Sequence, residues 1–143
     1  MCVYVYIAST KTLPLKQLGR GSASFKIEHL QRLDRPVRKH LDKRRLYFAA
    51  SFEGCGCIFA EAPPLSRSRN TYARRCQSSL EGFARYLART VKRFGGLQVY
   101  AVENRWLGRR PRRRKRIAVT EVLSPNFRFR EGELITITPS GAA

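Results

Sequence analysis

Acidic residues are scarce in this chain: 10 Asp and Glu stand against 29 Lys and Arg, leaving a net charge of +19. Self-repulsion of that size opposes a compact state unless salt or a polyanion relieves it. Long apolar runs are also missing. No stretch approaches the roughly 18 residues that a membrane-spanning helix needs, so no membrane partner is expected. The opening MCVYVYIAS has no basic residues ahead of its apolar part. It reads as a strand, not an export signal, and a cytoplasmic location is expected. Cysteines are few, at 4, and in that compartment are expected to be reduced. No helix-turn-helix, zinc-finger spacing or RNP-like aromatic motif is present, and no internal repeat appears.

What the chain does have is enough to fold. Its 143 residues are 43% hydrophobic, which excludes a disordered tail. A domain of this size buries roughly 68–70% of its unfolded surface and needs no metal or disulfide merely to fold. Val3, Val5 and Ile7 alternate with Tyr4, Tyr6 and Ala8, apolar on both sides, which predicts a central strand. Ser9–Ser24 reads as a loop, and Arg35–Arg45 as either a short helix from Pro36 or a solvated connector. Leu46–Phe52 predicts a second strand, Cys57–Ala60 a third, and the paired prolines in EAPPLSRSRN a loop.

Ser78 and Glu81 have the spacing of a capping box. Leu80, Phe83, Ala84, Leu87, Val91 and Phe94 then share one helical face, with Gly95 and Gly96 as the stop. A start near Asn70 would place Cys76 within the same helix. Strands are predicted at Leu97–Val102, Ile117–Leu123, Phe127–Arg130 and Leu134–Thr138, the last two as a hairpin around EGE. The expectation is one α+β domain over residues 1–143, with a largely antiparallel sheet, one long amphipathic helix and an exposed basic loop at 105–116.

Two features carry chemistry. RRPRRRKR, Arg109–Arg116, has Arg109, Arg110, Arg112, Arg113, Arg114, Lys115 and Arg116 in eight positions, with Trp106 just before it. Such a segment releases condensed counterions from a phosphate backbone, and an aromatic beside it can stack on an unpaired base. The leading expectation is therefore a small protein that binds nucleic acid (RNA or DNA) through shape and phosphate contacts, with Arg85, Arg89 and Lys92 in support. Another polyanion, including an acidic protein partner, would satisfy the same charge. The plain alternative is a solvated loop in an arginine-rich composition.

The second feature is FEGCGC, with Cys55 and Cys57 one residue apart and a glycine before each. In an extended strand these side chains would stand roughly 7 Å apart, too far for a disulfide or comfortable chelation. Glycine permits the bends that bring them together. With Cys2 or Cys76 added, and His29 and His40 as further candidates, the set would suit zinc or another soft metal. One C-x-C unit is not the usual zinc spacing, and two small apolar fillers at a turn explain the residues as well. No cofactor is otherwise predicted. Removal of Met1 would also expose Cys2 as an N-terminal nucleophile beside its own amine. The alternative function is thus a thiol-centred protein, metal-binding or a cysteine-dependent enzyme, on Cys2, Cys55 and Cys57.

MCVYVYIAS, SFEGCGCIF and FREGELITI together resemble a group of small uncharacterised bacterial proteins that begin Met-Cys, continue into a tyrosine-rich strand and carry a Gly-Cys-Gly-Cys turn. The resemblance implies a shared role for Cys2, Cys55 and Cys57 and implies no activity. The arginine run is not part of it.

Overall fold

The two-sided apolar pattern of Val3–Ser9 becomes the middle of a sheet. The computed structural model describes residues 2–19, 24–61 and 71–139. Among them, six strands form one sheet: β1 Val3–Ser9, β2 Phe25–His29, β3 Arg45–Ser51, β4 Leu97–Glu103, β5 Arg113–Ala118 and β6 Glu133–Thr138. Their spatial order is β2-β3-β1-β4-β6-β5. Every pairing is antiparallel except β5 with β6, so the fold is α+β with a largely antiparallel sheet. No described helix is long and apolar enough to cross a membrane.

The two sheet faces bury different things. Val3, Val5 and Ile7 join Ile27, Ala49, Val99, Ile135 and Ile137 beneath the long helix α2, Thr71–Phe94, which contributes Phe83, Leu87 and Val91. Tyr6 and Ala8 face the other way, with Phe48, Tyr100 and Leu134. That second face is closed by a 3-10 helix, Arg32–His40, through Val37. Asp34, in this helix, is buried, accepts from the Tyr6 hydroxyl at 2.7 Å, and accepts from the Gln31 N–H at 3.0 Å.

Several predicted elements change. The described helix runs Thr71–Phe94, so Ser78 and Glu81 are interior residues, and Cys76 lies in the helix, as a start near Asn70 implied. Its end is as expected: Gly95 is left-handed at φ +90° and its N–H bonds the Val91 carbonyl at 2.9 Å. The predicted strand at Cys57–Ala60 is a short helix, α1 Cys57–Glu61. Ile117–Leu123 divides between the end of β5 and a one-turn helix, α3 Val119–Val122. Phe127–Arg130 is irregular, because Phe129 turns inward as a core residue and its N–H bonds the Phe59 carbonyl at 3.0 Å. No hairpin forms there, since β6 pairs with β4 and β5. The basic stretch is a loop only in part: Arg113–Arg116 belong to the edge strand β5. The predicted loop over 62–70, part of the loop before Ser24, and Met1 lie outside the described residues.

Candidate metal centre and basic surfaces

Each glycine in FEGCGC has a distinct task. Gly54 adopts φ +85° and turns the chain at the end of β3, its N–H bonded to the Ser51 carbonyl at 3.0 Å. The Ser51 N–H in turn reaches the Cys55 carbonyl at 2.8 Å. Gly56 is needed for contact, not for its dihedral. Its N–H bonds the Val3 carbonyl at 2.8 Å, and a Cβ there would lie 2.5 Å from Val5 Cγ2 and 3.1 Å from the Val5 nitrogen. The absence of that one carbon lets the turn lie against the backbone of β1.

Docking the turn on β1 brings three thiols together. The Sγ atoms of Cys2, Cys55 and Cys57 all lie within 4.8 Å of one another, so this group could hold a metal ion. All three are unbridged. Cys2 is held at the head of the sheet, where its carbonyl accepts the Asn104 N–H at 2.9 Å. The Val3 N–H donates to Cys57 Sγ at 3.2 Å, which fixes that sulfur against the backbone of β1. Cys55 is buried, whereas Cys2 and Cys57 are half-buried, leaving one open side. Burial pushes the Cys55 thiol up to about 12; the Cys57 backbone N–H opposes this, and the Cys57 and Cys2 thiols add to it.

The other thiol-site candidates are elsewhere. Cys76, on α2, interacts with the Tyr72 hydroxyl and is not in the group of three. His40 Nε2 bonds the Gly108 carbonyl at 2.8 Å, and the His29 ring packs on Tyr47 at 5.5 Å. The Val3 N–H and the close approach at Gly56 have no sequence signature, because both depend on which strand the turn meets.

The basic residues fall into separate surfaces. Arg114 and Arg116 pair in register with Leu134 and Thr136 and share their face, the one opposite α2. Trp106 is 39% exposed, with the Arg109 guanidinium 4.1 Å from its ring centre. The Arg109 carbonyl accepts the Tyr100 hydroxyl at 2.9 Å, which ties this loop to the same face. Acidic partners occupy three of the seven cations of the basic finger Arg109–Arg116: Arg112 pairs with Glu131, and Arg113 and Lys115 each stand 3.6 Å from buried Glu133. Arg109, Arg110, Arg114 and Arg116 have no acidic partner among the described residues. Arg85, Arg89 and Lys92 are exposed on α2, across the sheet from Trp106. The chain matches no protein-family model, no curated protein and no solved structure.

Proposed function

We propose that this protein binds one soft metal ion, zinc in the ordinary case, through the thiolates of Cys2, Cys55 and Cys57. The convergence of three sulfurs from two distant segments within 4.8 Å carries this reading. Zinc–thiolate bonds of about 2.3 Å place the sulfurs of a tetrahedral site about 3.8 Å apart, so closure needs a shift of about 1 Å or less. An all-sulfur donor set selects soft ions over magnesium or calcium. Three thiolates on a divalent ion leave a net negative centre, which the field of a +19 chain favours. The open side by Cys2 and Cys57 leaves the fourth position to water or an exchangeable ligand, as in zinc sites that do chemistry.

Titration with Cd²⁺, followed by the thiolate-to-metal charge-transfer band, tests the proposal. One equivalent is expected to bind. Cys2→Ser and Cys57→Ser should each weaken binding at least tenfold, and Cys76→Ser should not change it. Affinity should fall as pH is lowered, because each thiol loses a proton on binding and burial makes Cys55 hold its proton more tightly than a free thiol does. An unchanged band in Cys57→Ser would remove the site.

A second reading, nucleic-acid binding, is favoured by one arrangement: Trp106, Arg109, Arg114 and Arg116 on one face, with those arginines lacking acidic partners among the described residues. Trp106 is the sole tryptophan, so quenching of its fluorescence by a single-stranded oligonucleotide tests this directly.

A further inference from the structure

A cleft of about 400 Å³ lies on the α2 side of the molecule, by the β2 edge, and its lining includes neither the three thiols nor Trp106. Its walls come from elements fixed independently of any ligand. The Tyr86 hydroxyl donates to the Pro14 carbonyl at 2.8 Å, tying the loop after β1 to α2. Lys16 is pinned by two backbone bonds with Ile27, each 3.0 Å, which add it to the edge of β2. Phe25 and Tyr86 are buried rings 5.8 Å apart, and with Phe94 they supply an aromatic lining. Gly82 keeps the helix close: a Cβ there would meet the Phe25 ring at 3.0 Å.

The charge of this cleft has one sign. Arg85, Arg89 and Arg93 repeat every four residues, so they form one stripe along α2, and Lys16 faces them from the rim. Among the described residues no acidic side chain lines the cleft. Among the described residues none of these four cations has an ion-pair partner, and Arg93 only rests over the Phe94 ring at 4.9 Å. Like charges at this spacing oppose the helix, and a bound anion would relieve them. The volume falls within the usual range for small-molecule sites, and fixed cations around an apolar lining are what an anion with a flat ring requires.

We propose that this cleft binds a small aromatic phosphate of the size and chemistry of a nucleoside monophosphate. Its phosphate meets Arg85, Arg89 and Lys16, and its ring lies against Phe25 and Phe94. Calorimetric titration at low ionic strength with adenosine monophosphate, adenosine and inorganic phosphate reads this out. The nucleotide should bind at least tenfold more tightly than either fragment. Arg89→Gln should weaken it about tenfold, the loss expected for one charge-assisted bond. Arg85→Gln should do the same, while Arg109→Gln and Cys57→Ser should leave it unchanged. Both helix substitutions are on exposed side chains, and circular dichroism confirms that the variants are folded. The proposal is overturned if phosphate alone binds as tightly as the nucleotide, or if Arg85→Gln and Arg89→Gln bind like the parent. It is equally overturned if a 5′-phosphorylated strand engages these arginines while the mononucleotide does not.

Discussion

At the scale of single residues, Gly54 and Gly56 look equivalent in the sequence and are not. Gly54 holds a left-handed dihedral with open space around its α-carbon, so alanine there costs about 1–2 kcal/mol of backbone strain and disturbs nothing else. Gly56 has no unusual dihedral, but a methyl group would press on Val5 Cγ2 and on the backbone of β1, which cannot yield. Gly56→Ala is therefore expected to lift the turn off β1, break the bond to the Val3 carbonyl and separate Cys55 and Cys57 from Cys2. Overpacking of this kind costs about 1–3 kcal/mol. Cd²⁺ affinity should fall at least tenfold, whereas Gly54→Ala should melt earlier and bind metal nearly as well. Equal metal affinity in Gly56→Ala and the parent would show that the turn does not position the thiols. The candidate thiols were legible because sulfur pairs are rare and glycine flanks both. The division of labour between the glycines was not, since it depends on a strand more than fifty positions away.

At the scale of elements, periodicity located the central strand and the helical face of α2, because burial enforces both patterns. Of the two starts it offered for α2, the one near Asn70 agrees with Thr71–Phe94 and the capping box at Ser78 and Glu81 does not, since helix interiors also tolerate that spacing. It also read Phe127–Arg130 as a strand, although Phe129 reaches the core from irregular backbone. The arginine run hid most of a strand, of which only Ile117 and Ala118 fell within a predicted one. Four successive cations make a poor strand alone, but β5 has Ile117 buried against the helix side and a buried carboxylate, Glu133, facing Arg113 and Lys115 on β6. Burying that carboxylate is costly, and its Oε1 makes no hydrogen bond. Its charge nonetheless relieves repulsion between Arg113, Lys115 and the cations beside them on β5. Glu133→Gln keeps the shape and removes the charge, so it is expected to lower stability by about 1 kcal/mol, or a few degrees in Tm for a chain of this length. The difference should shrink in high salt, where the repulsion is screened. A higher Tm for Glu133→Gln would show that desolvation outweighs the pairing.

At the scale of the whole molecule, the +19 charge is not one surface. The α2 arginines lie on one side of the sheet and Arg114 and Arg116 of β5 on the other, and three of the seven finger cations already have carboxylate partners. This division makes the nucleic-acid reading quantitative. Each unpaired arginine that meets a single strand contributes about 0.7 to the slope of log affinity against log salt. Engagement of Arg109, Arg110, Arg114 and Arg116 alone predicts a slope of about −3, and engagement of all seven finger cations about −5. Quenching of Trp106 by oligouridylate, measured across salt concentrations, gives that slope. Arg114→Gln or Arg116→Gln should reduce its magnitude by about 0.7. Arg112→Gln should change it less, because the Arg112 charge is already matched by Glu131. Single substitutions are the informative variants, since deleting Arg109–Arg116 would remove most of β5 and test folding instead. A slope near zero, or one insensitive to Arg114 and Arg116, would leave the arginine excess without a nucleic-acid role at this face.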